Sequence, residues 1–306
     1  MSERGTRNPA ASIQQRLLNR ARETGEDFQV TLNNYLLERF LYRLGQSPAR
    51  SRFVLKGALL FRLWADTPYR ATLDLDLLWR GAGNRDAIAE DIRLVCATPA
   101  PDDTVEFDTS DLTVNDIRAE DEYAGLRVRF DGLLGKTRTR LQIDIGVADA
   151  TWPEPEETTY PALLDLPAPK VLAYRPVTVV AEKLEALVVL GLTNSRTKDY
   201  FDLHHLAMNF PFAGATLTRA IGATFERRKT PFPASTPQGL TDAYWEHQGR
   251  DAQLRAFARR TRVRVDMQAA RSLLPLLRQF LLPPLAAARS AQPFNQQWAP
   301  GGPWKK

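Results

Sequence analysis

Ala71-Thr72-Leu73-Asp74-Leu75-Asp76-Leu77-Leu78-Trp79 is the stretch on which the reading of this chain turns. Its leucines and polar residues alternate. A strand sends successive side chains to opposite faces, so the pattern predicts a strand over 71–79. Leu73, Leu75 and Leu77 would share a buried face, and Thr72, Asp74 and Asp76 the other. Two carboxylates on one strand face repel each other unless a cation lies between them, and hard divalent ions take such oxygen ligands. Two solvated acids on an edge strand are the plainer alternative, which the leucines opposite disfavour.

Upstream, Phe53-Val54-Leu55 reads as a short strand closed by Lys56-Gly57, and 58–64 looks helical. A glycine at a strand-to-helix turn lets main chain approach a phosphate, and the following helix would offer free N–H groups and a positive dipole end. Lys56, Gly57 and Ala58 are therefore candidate nucleotide-binding residues. Farther upstream, apolar residues at helical spacing over 12–44 predict two helices with a break near Gly25. Downstream, a helix is expected over 84–96 and a β-hairpin over 126–146, turning at 131–136. Within Leu141-Gln142-Ile143-Asp144-Ile145, Asp144 lies on the polar side of an apolar strand. Beside the first strand it would complete a triad of acids able to hold two Mg²⁺ ions, one activating an attacking hydroxyl and one steadying a triphosphate. Otherwise it pairs with Arg138 or Arg140.

Helices interleaved with strands place this part in the α/β or α+β class. A proline-rich connector over 152–176 marks the expected boundary, giving domains 1–172 and 173–306. Beyond it only helices are expected, at 178–190, 195–208, 216–227, 240–260 and 266–281. The Pro-, Ala- and Gln-rich tail from Pro283 is expected to be poorly ordered.

Bulk properties exclude several classes. The 306 residues, 43% hydrophobic and 25% charged, are ordinary for a globular protein. One cysteine, Cys96, leaves no internal disulfide and fits a reducing cytoplasm. The polar start has no signal-peptide core, and the late apolar run is too interrupted to span a bilayer, so a cytoplasmic protein is expected. A formal charge of +5 nudges toward a polyanionic partner. Arg127 with Arg129, and Arg138 with Arg140, would floor the sheet beside the acids. Arg227-Arg228-Lys229 and then Arg255, Arg259, Arg260, Arg262 and Arg264 add basic clusters that could grip RNA phosphates. Ordinary solvated faces remain the alternative.

The stretch FVLKGALLFRLWADTPYRATLDLDLLW resembles the first motif of polymerase-β-type nucleotidyltransferases, in the form of the AbiEii toxin family. LQIDIG resembles the third-acid strand, VVAEKLEALVVLG the lysine-bearing helix and NSRTKDYFDL the final Lys-Asp-x-x-Asp motif, all in the expected order. The resemblance implies an α+β fold, a nucleotidyltransferase core with a mixed sheet followed by a helical domain. It implies catalysis with Mg²⁺ or Mn²⁺ held by Asp74 and Asp76, with Asp144 as third ligand or base. Gly57 would shape the phosphate turn. Lys183 would contact NTP phosphates, with Arg196 and Lys198 also nucleotide-binding, while Asp199 and Asp202 complete or brace the site in a cleft between the domains. Family members pair with an AbiEi-type antitoxin, and some, such as the mycobacterial MenT toxins, add nucleotides to the 3′ acceptor end of tRNA. The expected partners are thus an NTP, tRNA and the antitoxin. Ala58 departs from the usual Gly-Ser or Gly-Gly, so only main-chain N–H groups serve the phosphates there.

Read as residues alone, the later motifs are less decisive. Lys183 fits a solvated helix position equally well, and Lys198 and Asp202, four apart, fit a helix salt bridge. Asp199 and Asp202 share a helix face suited to bracing Lys183 or Arg196. His204 and His205 cannot both face one ligand and are read as helix-surface or supporting residues.

Overall fold

The structure, a computed structural model, describes residues 8–64, 72–117, 125–147, 151–261 and 266–306. The chain divides into two compact units, 1–150 with 156–173, and 151–155 with 174–306.

The first unit begins with helices α1 (Pro9–Thr24) and α2 (Phe28–Gln46), broken at Gly25 as the sequence predicts. Strand β1 (Phe53–Lys56) leads through a 3-10 turn, Gly57–Leu59, into α3 (Leu60–Trp64). Then follow β2 (Leu75–Trp79), α4 (Arg85–Ala97), β3 (Val105–Asp116), β4 (Gly125–Leu134), β5 (Thr137–Val147), β6 (Glu156–Thr159) and β7 (Lys170–Ala173). They form one mixed sheet in the order β3-β4-β5-β2-β1-β7-β6, in which β2 with β5 and β1 with β7 run parallel.

Cross-strand register sorts the side chains. Leu55, Leu77 and Ile145 form one row, and Leu75, Ile143 and Val128 another, all fully buried. Helix α2 covers this face. Phe40 packs on Phe130 and Phe107 at centroid distances of 5.7 and 5.9 Å, and burying such a side chain stabilises by roughly 1.5–3 kcal/mol. Arg43 clasps Asp103 at 2.6 and 3.1 Å and also donates to the Val105 carbonyl at 2.8 Å. On α4, Asp91 accepts from the Trp79 indole at 2.8 Å.

The strand expected over 71–79 begins only at Leu75, and Leu73 is 52% exposed instead of buried. Its antiparallel partner β1 ends at Lys56, opposite Asp76, so pairing runs out there. The hairpin turns on two residues, Gly135 and Lys136, not six. Gly135 at φ 60 supplies the positive torsion that a two-residue turn needs. Two strands not expected from the sequence, β6 and β7, lie within the proline-rich connector and extend the sheet.

The second unit holds α5 (Pro176–Leu190), α6 (Thr197–Asn209), β8 (Phe212–Ala213), α7 (Gly214–Arg228), α8 (Ala243–Glu246), α9 (Arg250–Thr261), α10 (Met267–Arg271), α11 (Leu274–Ser290), β9 (Gln297–Trp298) and β10 (Trp304–Lys305). The expected helices over 240–260 and 266–281 are each split. The expectation of helices alone with a disordered tail is overturned: α11 runs through Pro283 and Pro284, and β10-β9-β8 form a small sheet. Proline lacks the N–H that would bond four residues back, so Pro284 cannot bond to the carbonyl of Phe280. That carbonyl accepts instead from the Trp304 indole at 3.0 Å. The Trp298 indole likewise donates to the Ala207 carbonyl in the last turn of α6, at 2.7 Å. Aromatic packing of Phe280 with Phe212, Trp298 and Trp304 completes the anchorage.

Candidate active site

Opposite the helix-covered face, one row of charged residues crosses the sheet of the first unit. Lys56 of β1 pairs with Asp76 of β2, Asp76 with Asp144 of β5, and Asp144 with Arg127 of β4. The row reads cation, acid, acid, cation on adjacent strands, which lie about 4.8 Å apart. Arg127 donates from Nε and Nη2 to both oxygens of Asp144, at 2.8 and 2.7 Å. The Lys56 ammonium lies over Gly146, 3.4 Å from where a Cβ would sit, on the side of β5 that carries Asp144. Asp74, one residue before β2, is half-buried like Asp76.

Gly57 sits beside this row. Its φ is 71, and a Cβ there would fall 1.9 Å from Oδ2 of Asp76. The absent side chain therefore makes room for the Asp76 carboxylate against the turn. Ala58 is buried within the 3-10 turn.

The donors suit a hard divalent ion. Mg²⁺ is commonly held by one or two carboxylates together with substrate phosphates, and Asp74 and Asp76 supply carboxylates of that kind. Among the described residues no three His, Cys, Asp or Glu side chains are grouped to hold a metal by themselves. Asp144 is placed beside Asp76, but its ion-pair partner is Arg127 and not Arg138 or Arg140. Arg138 donates to Asp131 at 2.7 Å and Asp108 at 3.2 Å, and Arg140 to Asp131 at 3.2 Å. Arg129 donates to Gln142 at 2.9 Å.

The second unit carries its own charged cluster. Lys183 of α5 is ion-paired to Asp199 and, at 2.7 Å, to Asp202, both on α6. Arg196 approaches the other Asp199 oxygen at 2.8 Å. Asp199 and Asp202 are fully buried. Burial raises the carboxyl of Asp199, but the charges of Arg196 and Lys183 outweigh it and hold the group well below the usual carboxylate range. Burial pushes Asp202 well up. The solvated-helix alternative for Lys183 thus gives way to a braced ammonium, and Lys198 is exposed. His204 and His205 are half-buried, and desolvation lowers both.

Of the expected RNA contacts, Arg255 is paired with Asp251 on α9, and Arg259 is exposed. The side chain of Arg260, and Arg262 and Arg264 entirely, lie outside the described residues. Arg227 and Arg228 are not an open basic patch, because Glu182 and Glu185 of α5 engage them.

The family described as "Nucleotidyl transferase AbiEii toxin, Type IV TA system" matches residues 39–281, and the chain belongs to it. It is therefore a nucleotidyltransferase of a toxin–antitoxin family. That membership carries an NTP substrate and an antitoxin partner, and metal dependence is typical of the family. The fold is similar to the crystal structure of JHP933 from Helicobacter pylori, with 15% identity, a TM-score of 0.51, and coverage of 87% of this chain and 97% of that one. A second H. pylori structure, provisionally described as a nucleotidyltransferase, gives 16% identity, a TM-score of 0.47, and coverage of 88% and 100%. No curated protein sequence matches the chain. Among the described residues, no helix is long and apolar enough to cross a membrane.

Proposed function

We propose that this chain transfers a nucleoside monophosphate from an NTP to the 3′ acceptor end of tRNA, that growth arrest follows, and that an AbiEi-type antitoxin opposes it. The observation that carries the reading is the charged row Lys56–Asp76–Asp144–Arg127 with Gly57 cut away beside Asp76. In-line attack by a hydroxyl on the α-phosphate expels pyrophosphate. Protein groups in such a reaction mainly position reactants and neutralise charge.

Asp74 and Asp76 would hold Mg²⁺ or Mn²⁺, which when bound supplies charge neutralisation and hydroxyl activation. Asp76 is oriented by the turn at Gly57. Lys56 brings positive charge to the same face, and the main-chain N–H groups of the turn at Gly57 and Ala58 would serve a phosphate there. Asp144 orients Arg127 through a two-point contact, and that guanidinium is suited to bind phosphate oxygens bidentately. Asp144 itself stands next to Asp76 as the third acid, for metal or proton. Lys183, braced by Asp199 and Asp202, contacts nucleotide phosphates, with Arg196 and Lys198 from the same motif. Support for a polynucleotide acceptor comes from the exposed arginines Arg138, Arg140, Arg255 and Arg259; the carboxylate pairs of the first three are weak enough for phosphate to exchange them.

Incubation with each labelled NTP, Mg²⁺ and total cellular RNA tests the reading. Label in a tRNA-sized band is expected. Label only in protein or in a small molecule would replace the acceptor, and none in any fraction would remove the reading.

A further inference from the structure

Helix α5 carries Lys183 between two glutamates that point elsewhere. At 100° per residue, Glu182 and Glu185 lie 60° apart on one side of the helix, whereas Lys183 lies 160° from Glu185. The contacts follow this geometry. Lys183 meets α6, while both glutamates meet the C-terminal end of α7. Arg228 donates to Glu185 at 2.6 Å and pairs with Glu182 at 3.3 Å, bridging the two. Arg227 donates to Glu182 at 3.0 Å, and the Thr230 hydroxyl to Glu185 at 2.5 Å. Tyr174, just before α5, donates to Glu182 at 3.2 Å. Glu185 is only 3% exposed, and a carboxylate buried to that extent is retained only when its charge and lone pairs are answered.

We propose that Arg228 is a positioning residue. By bridging Glu182 and Glu185 it fixes the rotation of α5 about its own axis, and so sets where the Lys183 ammonium stands for the nucleotide. The proposal rests on the assignment of Lys183 to NTP phosphates. A helix held on one side alone can turn in its groove, whereas α5 is held by salt bridges to α7 and to α6 on well-separated faces. A few degrees of rotation displace a long lysine side chain by more than they displace the backbone.

The test is a double-mutant cycle on NTP affinity, using the full chain with wild type, Lys183→Ala, Arg228→Ala and the double variant. Lys183→Ala should weaken NTP binding. If it does not, the assignment of Lys183 falls, and that result is read independently of Arg228. Given a Lys183 effect, Arg228→Ala should weaken binding about tenfold in the wild-type background and less than about twofold on Lys183→Ala. Arg228→Lys should recover part of the loss. Equal effects in both backgrounds, or no effect in either, would overturn the proposal. If Arg228→Ala does not fold, Glu182→Gln takes its place in the same cycle with the same expected outcome.

Discussion

Gly57 and Asp76 are fitted to each other: a Cβ on the glycine would fall 1.9 Å from Oδ2, 2.4 Å from Cγ and 2.6 Å from Cβ of the aspartate. No rotamer of a new side chain avoids this, because Cβ is fixed by the backbone. Gly57→Ala must also hold φ near 71, costing about 1–3 kcal/mol. The expected outcome is a modest fall in melting temperature and a loss of transfer of about 10²-fold, the effect of displacing a reacting group by about 1 Å. Melting and NTP turnover on the same preparation check both. Wild-type turnover would mean Asp76 is not held by this turn.

Arg127 binds both oxygens of Asp144 beside Asp76. If it also receives NTP phosphates, Arg127→Met should raise KM for NTP about tenfold or more, the loss of one charge-assisted contact worth roughly 1.5–3 kcal/mol. Steady-state kinetics decide, and an unchanged KM would confine Arg127 to the support of Asp144.

The acid pair under Lys183 makes a pH prediction. Asp199 titrates lower in the folded chain than its unfolded value near 3.9. Its stabilisation is therefore complete above about pH 4–5 and is lost as pH falls toward the folded value. Asp199→Asn should destabilise the protein by about 3–5 kcal/mol at pH 7, because Lys183 and Arg196 lose their shared partner, and the gap from wild type should narrow toward pH 3. Asp202 has the opposite sign. Its raised folded value means that the contact with Lys183 does not offset the burial of its charge, so ionising it costs stability as pH rises, and Asp202→Asn should gain on wild type with increasing pH. Denaturant midpoints across pH check both slopes.

The C-terminal segment should be part of the fold. Trp304→Phe keeps the ring but leaves the Phe280 carbonyl, already deprived of a donor by Pro284, without its indole partner. A loss of about 1–3 kcal/mol is expected, read as a lower denaturant midpoint. An unchanged midpoint would make the segment dispensable.

Much of this was legible in the sequence, in proportion to how local the deciding interaction is. Alternation at Leu75–Leu77, the break at Gly25 and the Lys56-Gly57 turn depend on neighbours in the chain, and each was readable. Asp144 beside Asp76 was expected from its polar place on an apolar strand. Its partner was missed because a hairpin turning at 131–136 sets the wrong register, with Arg127 opposite Arg140. Once the turn is reduced to Gly135-Lys136, Arg127 falls opposite Asp144, and Asp131 moves from the loop into β4 opposite Arg140. Glu182 and Glu185 were passed over because their partners lie over forty residues away. Strand β3 was not seen because its alternation is short and broken: Val105 and Phe107 fall in one phase and Leu112 and Val114 in the other, across the polar stretch where the pairing register shifts. The tail was misread because proline usually ends a helix, and the indole that compensates Pro284 comes twenty-four residues after Phe280.

The central claim is that Asp76 serves transfer to the 3′ end of tRNA. The most direct measurement supplies labelled NTP to wild type and Asp76→Ala, each with intact tRNA and with tRNA whose terminal diol has been oxidised by periodate. Asp76→Ala shortens a half-buried side chain and relieves its repulsion with Asp144, so both proteins should melt within a few degrees of each other. Label should enter only intact tRNA and only with the wild type. Equal labelling by a folded Asp76→Ala, or labelling of oxidised tRNA by the wild type, would contradict the account.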